Sequence, residues 1–187
     1  RGQKVLLVSA VDRFGMAEAM AANGADLIFG DLIFALGVPV PLKSLKTVSF
    51  LAMVLLPILG RMPFKLLYPT GKKQRKEVPK YRKYYEWAEV IAGDFHYIKR
   101  YLPSKMHGKI ILTNTITKED EELLRSRGAR MLITTTPEVD GRSFGTNVME
   151  AIFLVLLNKK WDEATPEDYL RLIKDLDLKP SIRRLND

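Results

Sequence analysis

The chain has 187 residues, 47% of them hydrophobic and 28% charged, which matches one globular domain with a full core and excludes extensive disorder. With no cysteine and only two histidines, it has no disulfides, no thiolate metal sites and no three-histidine metal site. The net charge is +8. No signal peptide is visible and the longest apolar run, residues 48–59, is too short to span a bilayer, so we expect a cytoplasmic protein without membrane contact.

The first third of the chain predicts a strand–helix–strand unit. Residues 4–9 form a continuous aliphatic run, which is typical of a parallel strand buried on both faces. Residues 16–22 are rich in Ala and Met and predict a helix that ends at Asn23-Gly24, and residues 25–29 predict the second strand. Such a unit has a right-handed crossover. A further helix is predicted at about residues 44–59.

The positive charge is concentrated in one segment. Residues 61–83 contain nine basic residues and one acidic residue, so the rest of the chain is neutral overall. Aromatic residues are interleaved with these cations, and this pattern can bind nucleic acid through phosphate contacts and base stacking. A solvated excursion, or a cation-rich cover over an anionic ligand, explains the same pattern, and we prefer these two interpretations.

The second half of the chain continues the alternation of strands and helices. Short apolar runs predict strands at residues 90–92, 109–112 and 131–133, and capping and periodicity predict helices at about 117–127, 145–157 and 166–175. The alternation predicts an α/β fold, an open, mostly parallel, doubly wound (Rossmann-like) sheet of about five strands with helices on both faces. We expect one domain over residues 1–187, with a basic excursion at about 61–85 and a C-terminal helix at about 166–175.

The turn after the first strand is the position where Rossmann folds bind a dinucleotide's phosphates. Residues 10–15 are AVDRFG, which keep only the third glycine of the G-x-G-x-x-G fingerprint. Asp12 replaces the glycine that lets the backbone approach a pyrophosphate, unless its side chain turns away to cap the helix. Asp31 ends the second strand where an acid binds a ribose, which favours NAD over NADP. A domain of this fold that binds no dinucleotide is the alternative.

Polar side chains also follow the third and fourth strands. If residues 94–96 are extended, Asp94 and His96 point the same way and form a proton-transfer pair, so these two are the catalytic candidates. The alternative is a structural His96. Asn114 lies in a dense Thr-Asn-Thr exit from the fourth strand. The cofactor-binding candidates are Ala10, Asp12, Arg13, Phe14, Gly15, Asp31 and Asn114.

The loop at residues 141–147, GRSFGTN, has the composition of an anion site. Arg142 supplies a bidentate cation, Ser143 and Thr146 supply hydroxyls, and the helix that follows adds its dipole. The alternative is that the hydroxyls only cap this helix. The candidates for binding an anionic substrate are Arg142, Ser143, Thr146 and Asn147.

Four stretches resemble a known family: SAVDRFGMAEA (9–19), FGDLIFALG (29–37), GDFH (93–96) and GRSFGTNVMEA (141–151). They resemble bacterial proteins that carry the automatic label quinate 5-dehydrogenase, and the resemblance extends along essentially the whole chain. It implies NAD(P)-dependent oxidation of a cyclitol carboxylate, with the cofactor at residues 10–15 and Asp31. In that family an N-terminal stretch of roughly a hundred residues precedes the matching part, so we expect an N-terminal domain outside this chain. The resemblance implies no catalytic residue here.

Three functions follow as hypotheses. The first is an NAD(P)-dependent oxidoreductase that acts on a hydroxylated carboxylate such as quinate or shikimate. The second is a non-catalytic Rossmann-like domain that binds a metabolite or nucleotide, and the third is nucleic-acid binding through the basic segment. The expected partners are a small anionic metabolite and the N-terminal domain, with a homo-oligomer left open; we expect no bound metal, no nucleic acid and no membrane.

Overall fold

A six-stranded sheet forms the centre of the computed structural model, which describes residues 2–59 and 81–187. Five parallel strands come first: β1 (Lys4–Leu7), β2 (Asp26–Phe29), β3 (Val90–Ala92), β4 (Ile110–Thr113) and β5 (Met131–Thr134). The pair β6 (Glu138–Val139) and β7 (Arg142–Ser143) makes a separate hairpin, and β8 (Ser181–Arg184) is antiparallel to β5. The spatial order is β2-β1-β3-β4-β5-β8, so the winding reverses between β1 and β3.

Helices connect the strands. They are α1 (Phe14–Ala22), α2 (Leu45–Leu59), α3 (Arg82–Trp87), α4 (Phe95–Arg100), α5 (Lys118–Ser126), α6 (Thr146–Leu157) and α7 (Pro166–Asp175). A 3-10 turn at Val11–Arg13 precedes α1, and a π-helical turn at Asp31–Ala35 follows β2. Capping boxes begin α5 and α7. None of the helices in the described ranges is long and apolar enough to cross a bilayer.

Two separate apolar clusters cover the two faces of the sheet. Leu6 and Ile91 pack with buried residues of α3, α4 and α5 on one face. Val5, Leu7 and Ala92 pack with residues of α1 and α2 on the other. Neighbouring strand residues alternate between the clusters because successive side chains of a strand point to opposite faces. The α/β class, the mostly parallel sheet and helices on both faces are therefore confirmed.

The sheet has six strands, so the expectation of about five was wrong. The missed strand, β8, has the sequence Ser-Ile-Arg-Arg and is largely exposed, and so it lacks the apolar run that marked the other strands. It needs no crossover helix because it is antiparallel to its neighbour. The basic segment at 61–80 lies outside the described residues. At the described end of that segment, Arg82 and Lys83 are exposed at the start of α3, whereas Tyr84 and Tyr85, which follow them, are buried in the core.

Candidate functional site

The parallel strands bring their carboxyl ends to one edge of the sheet, and candidates from distant parts of the chain meet along that edge. Hydrogen bonds join the exit of β1 to Asp31 and Asp94, and Thr113 at the end of β4 to Gly93. An isolated β-bridge pairs Arg142 with Thr117, three residues beyond Asn114. In open α/β sheets this edge is where ligands bind.

Asp31 holds the turn after β1 together. Its Oδ1 accepts hydrogen bonds from the backbone amides of Ala10 and Val11, at 2.8 and 2.9 Å. Its Oδ2 is buried and has no hydrogen-bond partner among the described residues. Burial raises the pKa of the Asp31 carboxyl above its usual value, although the two amides act in the opposite direction. The Asp31 carboxylate therefore already accepts hydrogen bonds from the two backbone amides at the start of the 3-10 turn Val11–Arg13.

Arg13 reaches from the same turn to the exit of β3. Its Nη2 lies 3.3 Å from Asp94 Oδ2, and these two side chains are only 10% and 16% exposed. The Nε of Arg13 is buried without a hydrogen-bond partner in residues 2–59 and 81–187. Asp12 is exposed and accepts a 2.6 Å hydrogen bond from the Ser9 hydroxyl. A largely buried ion pair therefore joins the ends of β1 and β3.

The extended geometry expected for residues 94–96 is wrong. Asp94 is the N-cap of α4, and its Oδ1 accepts a 2.8 Å hydrogen bond from the backbone amide of His96. His96 is the second residue of the helix and is exposed. The carboxylate of Asp94 is therefore shared between capping the helix and pairing with Arg13, because an unsatisfied helix N-terminus and a cation both attract it.

Asn114 is the most unusual residue of the edge. It is 1% exposed, and neither Oδ1 nor Nδ2 has a hydrogen-bond partner in the described part of the chain. The preceding residue, by contrast, is hydrogen-bonded: the Thr113 hydroxyl donates to the Gly93 carbonyl at 2.7 Å. Buried side-chain polar atoms in folded proteins nearly always have a partner, either protein or ordered water. A buried amide with an open donor and an open acceptor can hydrogen-bond to an ordered water or to a polar ligand atom.

The segment at 141–147, which the sequence analysis treated as one loop, is a hairpin strand followed by the start of a helix. Arg142 and Ser143 form β7, and the Ser143 hydroxyl, which is buried, accepts a 2.9 Å hydrogen bond from the amide of Ile116. Thr146 and Asn147 are exposed at the start of α6, whose N-cap, Gly145, supplies no side-chain hydrogen bond. Ser143 therefore helps to fasten β7 to the β4 exit, while Arg142, Thr146 and Asn147 remain accessible.

A cavity of about 490 Å³ lies beside this helix start, and the sequence did not predict it. Its walls come from α6, α7, the exit of β5 and the segment before β8; of the candidate residues, Thr146 lines it. The signal available in the sequence was the repeat of Thr146, Met149, Glu150 and Phe153 at helical spacing on one face of α6. Within residues 2–59 and 81–187 no cluster of three or more acidic or histidine side chains is placed to hold a metal ion.

The comparisons place the chain by family. No curated protein and no solved structure matches it significantly. Residues 1–185, nearly the full length, match the family described as Domain of unknown function (DUF8754). The chain therefore belongs to the DUF8754 family.

Proposed function

We propose that this chain is a Rossmann-like domain that binds a small hydroxylated carboxylate at the carboxyl ends of β1, β3 and β4. The proposal rests on the buried side-chain amide of Asn114, which has no hydrogen-bond partner within the described ranges 2–59 and 81–187. It lies at the end of β4, which pairs with β3 and is one strand away from the point between β1 and β3 where the winding of the sheet reverses. Ligands of open α/β sheets bind in the crevice outside such a reversal.

The charges and hydrogen-bonding groups at the carboxyl edge of the sheet favour a ligand that carries hydroxyl groups and a carboxylate over a ligand that carries a polyphosphate. The Asn114 amide offers one acceptor and a donor group, which match the hydroxyl groups of a polyol. Arg142, exposed near the β4 exit, is suited to a carboxylate. At the first turn, by contrast, the Asp31 carboxylate already takes two backbone amides and Asp12 adds a second negative charge. A phosphate there would have to displace one carboxylate and approach another.

Hydride transfer with NAD or NADP is the second candidate, because the acid at the end of β2 is in the position that such enzymes use. It requires the nucleotide to bind beside Asp31 and the substrate to lie near Asp94 and His96. Binding of the hydroxylated carboxylate without turnover requires neither a nucleotide beside Asp31 nor a ligand near Asp94 and His96. The two candidates therefore differ in whether the nucleotide binds and turns over.

The test compares two leucine substitutions by thermal and urea unfolding, with and without quinate or shikimate. Asn114→Leu should raise the free energy of unfolding of the unliganded protein by about 1 kcal/mol, because it removes an unsatisfied buried amide. It should also abolish the stabilisation by quinate or shikimate. Asn186→Leu is the matched control, since the Asn186 amide donates to two carbonyls, of Arg125 and Ala129. The control should lose stability and keep the response to ligand.

A loss of stability in Asn114→Leu as large as in Asn186→Leu would contradict the proposal, as would failure of both acids to stabilise the wild-type chain. Adding NAD or NADP to the same samples distinguishes the two candidate functions, a dehydrogenase and a binding domain without turnover. Reduction of the nucleotide in the presence of quinate or shikimate would establish the dehydrogenase, whereas stabilisation by the acid alone supports binding without turnover.

A further inference from the structure

Apolar side chains lie on both faces of α2. Val48 is buried, and Leu45 and Leu51 pack against the apolar cluster that covers this side of the sheet. On the opposite face, Phe50 is 64% exposed and Met53 is 70% exposed. The outward face of a surface helix normally carries charged and polar residues. Residues 2–59 and 81–187 therefore leave an apolar face of α2 largely uncovered.

The outward face of α2 is a single line of side chains. Lys46, Phe50, Met53 and Pro57 follow one another at spacings of four, three and four residues, which places them along one side of the helix. All four are exposed, and Val54, beside the line, is exposed as well. Side chains that are exposed to this degree stand out from the surface and do not line a groove. Their arrangement suits insertion into a soft, extended surface better than the docking of a partner helix.

The stretch of sequence that contains α2 carries only positive charge. Residues 32–76, which include the whole helix, contain eight basic residues and no acidic residue. Lys46 begins the outward line, and the chain continues from the end of α2 at Leu59 directly into the basic segment at 61–83. Helices that combine an exposed apolar stripe with adjacent cations bind anionic lipid surfaces. The charge therefore favours a partner with an anionic surface and an apolar interior.

A second exposed apolar helix lacks this charge pattern. Val155 and Leu156 of α6 are 77% and 55% exposed. Residues 146–165, which contain α6 and the turn after it, have two basic and three acidic residues and so a net charge of −1. An excess of cations accompanies the exposed apolar side chains at α2 and not at α6.

We propose that the outward face of α2 binds the surface of a bilayer that contains anionic lipids. Phe50 and Met53 enter the boundary between the headgroups and the acyl chains, where burial of their apolar surface is favourable. Lys46 pairs with lipid phosphates, and the cations that follow in the chain add to the attraction. A helix that lies on a bilayer needs no long apolar run, which was the ground for expecting no membrane contact.

The test is co-sedimentation of the chain with two kinds of vesicle, one of phosphatidylcholine alone and one of phosphatidylcholine with about 30% phosphatidylserine. The chain should bind the mixed vesicles at least about tenfold more tightly than the neutral vesicles, and added salt should reduce the difference. The double variant Phe50→Ser, Met53→Ser should bind the mixed vesicles at least about tenfold more weakly, because the apolar contact is lost. Lys46→Gln should weaken this binding about fivefold.

The double variant Val155→Ser, Leu156→Ser is the matched control. It also removes two exposed apolar side chains from one helix, and it should leave vesicle binding unchanged. Circular dichroism verifies that both double variants fold.

Three results would overturn the proposal: no binding to mixed vesicles, equal binding to both kinds of vesicle, or a loss of binding in the α6 variant as large as in the α2 variant. Unchanged binding in the α2 variant would do the same, because it would assign the attraction to the basic segment alone. Light scattering distinguishes a second copy of the chain as the partner: self-association that the α2 variant abolishes, without vesicle binding, would replace the bilayer with a dimer. None of these results bears on the response to quinate.

Discussion

Replacing Asp31 with alanine should lower the free energy of unfolding by about 2–4 kcal/mol, one of the two largest effects we expect. The substitution leaves the amides of Ala10 and Val11 without their acceptor at the turn after β1, and Ala10 is fully buried. Urea unfolding followed by circular dichroism measures the change. Asp12→Ala is the control, because Asp12 is exposed and, among the described residues, contacts the Ser9 hydroxyl and Arg13 Nε, the latter at 3.9 Å; we expect a change within about 0.5 kcal/mol. Equal losses in the two variants would remove the structural role of Asp31.

The same carboxyl group should make stability depend on pH. Burial raises the folded-state pKa of Asp31 above the usual 3.8, so the folded chain binds the proton more tightly than the unfolded chain. The stabilisation from protonated Asp31 is therefore complete below the unfolded pKa and is lost as the pH rises through the folded pKa. Asp31→Asn cannot ionise and loses this dependence. The free energy of unfolding of wild type minus that of Asp31→Asn should fall as the pH rises from about 4; a difference that rises with pH would contradict the burial effect.

Replacing Gly93 with alanine should lower the free energy of unfolding by about 2–5 kcal/mol, the other large effect. Gly93 has φ +127°, where side chains are rarely tolerated, and an added Cβ would lie 2.6 Å from Cγ2 of the buried Val8. The residue joins β3 to the Asp94 cap, so the variant should also weaken the Arg13–Asp94 ion pair and the response to quinate. Chemical unfolding and the ligand titration measure the two effects.

Gly15 offers a matched control for that substitution. It lies in α1, and an added Cβ would meet nothing within 4 Å. Alanine is the better helix former, so Gly15→Ala should raise the free energy of unfolding by about 0.5–1 kcal/mol. The same chemical change should thus have opposite signs at the two glycines. A stabilised Gly93→Ala variant would show that the chain relaxes around Val8 at no cost.

Much of the fold follows from local patterns. The aliphatic runs predict β1 to β5 within one or two residues because strands buried on both faces need no polar positions. The pattern fails where burial is incomplete. The exposed β8 lacks such a run, and its Arg183 is instead paired with Glu121 and Glu138, which are distant in sequence. The helix α4 was missed because its six residues are too few for a periodic signal.

For the candidate site, too, local patterns predict one part and miss another. Parallel strands deliver their exits to one edge, so the sequence indicated where Asp31, Asp94 and Asn114 would lie. It did not indicate their partners. Asp94 lies two residues from His96 along the chain, but its carboxylate pairs with Arg13, which is 81 residues away. The partner of a carboxylate depends on distances between segments, and no local spacing contains those distances.

The sequence by itself determined the α/β class, the five parallel strands and the edge on which polar residues collect, because these depend on periodicity and on the geometry of parallel strands. Only the tertiary structure decided that Asp31 binds the turn after β1, that Asn114 is buried without a hydrogen-bond partner among residues 2–59 and 81–187, and that α6 and α7 line an open cavity. Each of these depends on which side chains meet and on what is left unsatisfied when they do. Packing sets both, and it acts between residues that are far apart in the chain.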